Sequence, residues 1–172
     1  MAISNVRIGV CSVKFKTADL GHTLDGVEFE FEREFEDLTV DKYGKMPVDM
    51  ALTGHNLKIK FKLAEVNLAN LDVAIPEGGY QTAGAGTRIN LGTDAGYLLR
   101  QDAGELVLHP IKNGASDLSE DIVIYKAVSV EAVPLNYKVD EQRVVEVTMR
   151  ALVDESYADG RRLGHIGLTN IS

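Results

Sequence analysis

Between Val27 and Glu36 the sequence reads Val-Glu-Phe-Glu-Phe-Glu-Arg-Glu-Phe-Glu, with a glutamate at every even position. Side chains of a β-strand alternate between its two faces. This period of two therefore puts Val27, Phe29, Phe31 and Phe35 on one face and Glu28, Glu30, Glu32, Glu34 and Glu36 on the other. The apolar face needs a core. The acidic face holds its charges about 6.6–7 Å apart, and their repulsion calls for a compensating partner or for a surface whose use is to be acidic. Arg33 interrupts the apolar face. A guanidinium reaching water at the sheet rim and an ion pair to a neighbouring subunit both account for it.

Residues 55–63 alternate in the same way, with Leu57, Ile59, Phe61 and Leu63 on one face and Lys58, Lys60 and Lys62 on the other. The two segments are predicted to be antiparallel neighbours. That arrangement lays both apolar rows on one core and sets lysines across from glutamates, worth roughly 0.2–1 kcal/mol per pair. A charge-paired face in water and a specialised acidic surface both remain open at this point.

The length of 172 residues fits one domain, with a core expected over about 6–153. A first strand is expected over 6–16, followed by a turn-rich link that ends in Asp25-Gly26, a strong turn signal. The stretch 37–56 between the two charged strands reads as a loop far longer than ordinary hairpin connections, with work to do outside the core. A helix is predicted over 65–74 with Asn67 as its cap. Glycine-rich hairpins or loops are expected over 78–96, with a strand near 87–91. Further strands are expected over 97–99 with 105–109, over 121–133 and over 142–153, and a polar arm over 154–172. The fold class is mainly β: a β-sandwich or barrel with one flanking α-helix, a long hairpin loop and terminal arms.

A net charge of −8 and a pI near 5.0 argue against a surface that grips nucleic acid through its phosphates. They leave room for a conduit through which DNA slides. No segment has the length and hydropathy of a membrane span, and Met1-Ala2-Ile3-Ser4-Asn5 lacks the signal-peptide pattern, so synthesis in a cytoplasm is expected. Cys11, the single cysteine, reads as a small core residue. His22, His55, His109 and His165 lie at no metal-ligand spacing. The Gly84-Ala85-Gly86 string has Ile89 where a phosphate loop would have a third glycine, and it reads as a turn. No serine stands in a nucleophile elbow. Neither a catalytic set, a metal nor a cofactor is expected.

Four strings, in order along the chain, resemble the major tail tube proteins of long-tailed bacteriophages. They are Asp19-Leu20-Gly21-His22-Thr23-Leu24-Asp25-Gly26-Val27 and Thr39-Val40-Asp41-Lys42-Tyr43-Gly44-Lys45-Met46-Pro47-Val48, then Leu63-Ala64-Glu65 with Asn67-Leu68-Ala69-Asn70-Leu71, and Asp159-Gly160-Arg161-Arg162-Leu163-Gly164-His165-Ile166-Gly167. The resemblance implies a tail-tube fold and a non-enzymatic virion protein. Its hexameric rings would stack into a tube that conducts viral DNA into the host. It further implies tape-measure and terminator proteins as partners, assembly in the host cytoplasm and residence in the phage tail.

Carried onto this chain, the resemblance makes Glu28, Glu30, Glu32, Glu34, Glu36, Lys58, Lys60 and Lys62 candidate lumen-facing residues. A hexamer would carry −48, six times the −8 of one chain, and such a wall lets DNA pass without specific binding. Asp41, Tyr43, Met46, Pro47 and Met50 become candidate ring-to-ring contacts, and Arg33, Arg161 and Arg162 candidate inter-subunit contacts. The inner tube of a contractile secretion or toxin device is the nearest alternative. A monomeric β-sandwich binding module or small hydrolase is the alternative from another class.

Overall fold

Two-residue alternation carries most of this chain into strands. The structure is a computed structural model that describes residues 9–83, 86–92, 95–131, 133–140 and 142–168. Strands β1 (Cys11–Phe15), β2 (Ala18–Asp19), β3 (Thr23–Thr39) and β4 (Pro47–Leu63) precede a single described α-helix, α1 (Leu68–Ala74). After it come β5 (Tyr80–Ala83), β6 (Gly86–Ile89), β7 (Gly104–Pro110), β8 (Ile122–Ser129), β9 (Val145–Ala151) and β10 (Gly164–Ile166). The main sheet runs β2-β1-β7-β8-β9-β4-β3, and β5 and β6 form a separate hairpin. Every pairing is antiparallel.

One face of the sheet supplies the core. Leu57, Ile59, Phe61 and Leu63 of β4 are buried while Lys58, Lys60 and Lys62 between them are not. The same alternation buries Val145, Val147 and Met149 of β9, Leu106 and Leu108 of β7, and Val13 and Phe15 of β1. Burying each such aliphatic or aromatic side chain contributes roughly 1.5–3 kcal/mol. Helix α1 packs on this core through Ala74. Asn67 starts it by accepting the Asn70 N–H at 2.8 Å, and Pro76 follows its end at Ile75. Buried Asn70 donates from Nδ2 to the carbonyls of Leu20 (3.2 Å) and Glu65 (2.8 Å), tying the helix to the link that enters β3.

The stretch 37–56 is not a loop. β3 runs on to Thr39 and β4 begins at Pro47, so the connection is only 40–46, tightened by a 3₁₀ turn at Asp41–Tyr43 and by Gly44 at φ 64°. Strand pairing on the far side of β4 ends much earlier, because β9 reaches only from Lys58 to Leu63. Beyond Leu57 the hairpin is thus a two-stranded ribbon that projects from the sheet.

A β-bulge at Thr53 hid this ribbon from the sequence pattern. Glu34 pairs with Gly54 and Phe35 with Leu52, so β4 carries one extra residue. Opposite residues of an antiparallel pair share a face, so the extra residue moves Leu52 and Met50 onto the side of Phe31, Phe35 and Leu57. Without it they would point to the acidic side.

Other departures are local. Asp25-Gly26 is an irregularity inside β3, with both residues at positive φ (62° and 83°), rather than the turn before it. β1 starts at Cys11, whose side chain is only partly buried; residues 6–8 of the predicted first strand lie outside the described residues. In place of a strand at 97–99 there is a 3₁₀ turn at Leu99–Gln101. The Gly84-Ala85 pair also lies outside the described residues, between paired Ala83 and Gly86. Finally, the segment after 154 is not a free arm. Its β10 pairs with residues 122–124 of β8, on the side where β9 has already left at Ala127.

Candidate assembly surface

The ribbon has two contrasting faces. On the side continuous with the core lie Phe31, Phe35, Leu52 and Met50, and the tip adds Leu38, Val40, Tyr43, Met46 and Val48. These side chains are between 44% and 64% exposed. An apolar strip on a two-stranded ribbon is unstable as a free surface. A hairpin with no further strand or layer is marginal in water, and a contiguous exposed apolar patch marks an interaction site. Of the predicted contact residues, Asp41, Tyr43, Met46, Pro47 and Met50 all sit exposed at or near this tip.

Arg33 stands on the apolar face opposite His55, with its guanidinium 5.9 Å from the Phe35 ring centre. His55 in turn stacks on Phe31 at 5.1 Å. Among the described residues no ion pair reaches Arg33 within the chain, so its charge is left for water or for a neighbour. Arg162 is engaged at home, donating to Asp159 Oδ1 (2.6 Å) and to the Tyr157 carbonyl (3.2 Å). Arg161 lies exposed beside it.

The opposite face gathers the predicted glutamates and lysines as one set, paired only near the sheet. Glu28 is opposite Lys60 and Glu30 opposite Lys58. Lys60 Nζ lies 3.4 Å from Glu30 and 3.8 Å from Glu28, and Lys62 Nζ lies 2.9 Å from Asp25 and 3.9 Å from Glu146. The hydrogen bond to Glu30, then the charges of Glu28 and Glu30, push the Lys60 pKa up; the bond to Asp25 does the same for Lys62. Farther out, Glu32 accepts from Asn56 Nδ2 at 2.8 Å. Among the described residues no ion pair reaches Glu32, Glu34 or Glu36. Neighbours in this row repel by about 0.6 kcal/mol in water at 7 Å. The surface is neutralised at its base and acidic along the ribbon.

At the ribbon's base the core is open. Phe29, Phe31 and Leu57 face Ile122, Ile124, Val153, Leu163 and Ile166 across a cleft of about 450 Å³. Its titratable linings are His55, Arg162 and His165. Sequence reasoning missed this mouth because β10, one of its walls, is three residues long.

A second cleft, of about 530 Å³, opens on the outward side of β1 and β7. There His109 Nδ1–H donates to Asp121 Oδ1 at 2.6 Å, and Ser12 Oγ donates to the His109 carbonyl at 3.5 Å. The Tyr125 hydroxyl and His165 Nδ1 share a hydrogen bond of 3.0 Å, and Tyr157 stacks on Tyr125 at 3.7 Å. Burial, ahead of the neighbouring Tyr157, pushes the Tyr125 phenol up. The Tyr125–His165 bond and the Tyr125–Tyr157 stack fasten the C-terminal segment to the sheet. No motif spacing announced them, since His109 and Asp121 are brought together by the loop between β7 and β8. Among the described residues no group of three His, Cys, Asp or Glu side chains is placed to hold a metal ion, and no helix is long and apolar enough to cross a membrane.

Comparison with family models and with curated proteins finds no match to this chain.

Proposed function

We propose that this chain is the tail tube subunit of a long-tailed bacteriophage, a structural protein that forms hexameric rings stacked into a conduit for viral DNA. The observation that carries the proposal is the projecting ribbon, whose exposed apolar face demands a protein partner while its other face is acidic. A second copy is the partner that every copy has at hand. The sheet also ends in two open edges, β3 and β2, and a closed ring of subunits removes such edges. On this reading the acidic row lines the channel, where it repels phosphates and keeps DNA from sticking.

The subunit's role is mechanical, with tape-measure and terminator proteins as further partners in the tail. Light scattering and negative-stain imaging test the reading. Rings or tubes are expected; an 18.8 kDa monomer at every concentration would sink it. Deleting Asp41 to Asp49 at the ribbon tip should leave a folded protein that no longer stacks, since no core residue lies there. Full-length tubes from that variant would remove the ribbon's part in stacking.

A further inference from the structure

We propose that Asn113 is a site of spontaneous covalent modification: the backbone nitrogen of Gly114 attacks its side-chain amide and converts it to aspartate and isoaspartate, at a rate set by Glu120. This chemistry belongs to the single chain and goes beyond the tube reading.

The chain has eight asparagines, and Asn113 alone is followed by glycine. After the other seven, a side chain on the next residue crowds the attacking nitrogen. Gly114 has no Cβ, and one placed there would meet nothing within 4 Å. It lies exposed in the connection between β7 and β8, ending the 3₁₀ turn Ile111–Asn113 at φ 78°. Its nitrogen is lightly held, because the N–H reaches the Ile111 carbonyl at 3.3 Å, beyond the ordinary 2.7–3.2 Å range. The leaving group is held more firmly. Asn113 Nδ2 donates to Glu120 Oε2 at 2.9 Å, and swinging the amide onto the Gly114 nitrogen must release that bond. Glu120 is thus a latch on the reaction.

Gly114 N gives its proton to hydroxide and bonds to Asn113 Cγ; the Cγ–Nδ2 bond breaks, and Nδ2 leaves as ammonia with a proton from water. A second water then adds to either carbonyl of the five-membered succinimide and breaks one of its two ring C–N bonds, leaving aspartate or isoaspartate. The net exchange is one water consumed for one ammonia released, with no oxidant, metal or second protein. A neutral amide becomes a carboxylate, which moves the chain from −8 to −9. The new charge faces Glu120, its former acceptor, and the two repel. Asp121 follows directly. Its side chain accepts from His109 and its carbonyl from Gly167, so repulsion in this loop is transmitted to the C-terminal segment.

The full-length protein is incubated at neutral and at mildly alkaline pH and digested with trypsin, which releases 113–126 as one peptide. That peptide is expected to gain ~1 Da, to separate into aspartate and isoaspartate forms, and to convert faster at the higher pH, where more of the Gly114 nitrogen is deprotonated. Asp25-Gly26 and Asp159-Gly160 also offer an uncrowded glycine, but an aspartate loses and regains water with no change of mass. Glu120 is exposed, so replacing it leaves the core intact. Glu120→Ala should speed conversion roughly two- to tenfold, the worth of one net hydrogen bond, and Glu120→Gln, which keeps an acceptor oxygen, should fall between. A peptide of unshifted mass, or aspartate with no isoaspartate, overturns the cyclisation. Conversion of Glu120→Ala at the parent's rate overturns the latch.

Asn113→Asp installs the carboxylate from the start. Amide exchange at Gly167 should speed up about threefold or more while β4 keeps its protection. Unchanged exchange at Gly167 overturns the transmission to the C-terminal segment.

Discussion

At the scale of single residues, exposure separates the side chains that hold the fold from those that wait for a partner. Ile59 and Phe35 lie on the same face of one hairpin, yet Ile59 is fully buried and Phe35 is half-exposed. Ile59→Ala should cost about 2–5 kcal/mol of monomer stability through lost transfer energy and an unfilled cavity. Phe35→Ala should change monomer stability by no more than about 0.5 kcal/mol while weakening assembly. Denaturant unfolding of dissociated subunits and light scattering of the polymer measure the two effects; equal stability losses would refute the division.

Lys60 marks another boundary on the outward face. Its pKa is raised by its carboxylate neighbours, so its stabilising effect is present at neutral pH and up to the ordinary lysine value of 10.5, and is lost as pH rises through the higher folded-state value. Lys60→Met keeps the stem and removes the charge. Its Tm deficit against the parent protein should be largest in low salt at pH 7 and shrink in 1 M salt or as pH rises through the raised folded-state value, where the parent too loses the charge. A deficit that ignores both salt and pH would mean that packing, not charge, is the contribution.

At the scale of elements, the chain shows which signals survive in a sequence. The facing rows of β3 and β4 were legible because glutamates and lysines alternate without a break from Glu28 to Glu34 and from Lys58 to Lys62. The cap of α1 was legible because Asn67 precedes a helical apolar spacing. The outer ribbon was not, because the bulge at Thr53 reverses the phase of β4 and makes Leu52 and Met50 look scattered. β10 was not legible either, since three residues carry no period.

Gly164 records why β10 fits. A Cβ there would run into the Val123 carbonyl oxygen across the strand pair. Gly164→Ala should therefore lift β10 from β8. Amide exchange should speed up at Tyr125, which donates to the Leu163 carbonyl, and at Gly167, which donates to the Asp121 carbonyl. Amides of β4 should keep their protection, because the core beneath β9 is untouched. Global loss of protection in β4 would show instead that β10 is part of the core's cooperative unit.

At the scale of the whole molecule, charge is distributed along the ribbon axis. Near the sheet Lys60 and Lys62 are each held between two carboxylates, and the surplus of negative charge lies farther out at Glu32, Glu34 and Glu36. A channel built from such subunits would alternate neutral and acidic bands. DNA would meet repulsion in the acidic bands, and nowhere would it find a row of free cations to grip it.

The structure also decides which glutamates test this. Replacing Glu30 would set a cation against Lys60, whereas Glu32, Glu34 and Glu36 take part in no ion pair among the described residues. Changing these three to lysine moves the chain from −8 to −2 by adding two charges per site, without touching the paired base. Rings and tubes should still form, and DNA release from assembled particles should slow, most steeply at low ionic strength where phosphate contacts are strongest. Ejection kinetics that match the parent at every salt concentration would place the acidic row away from the channel.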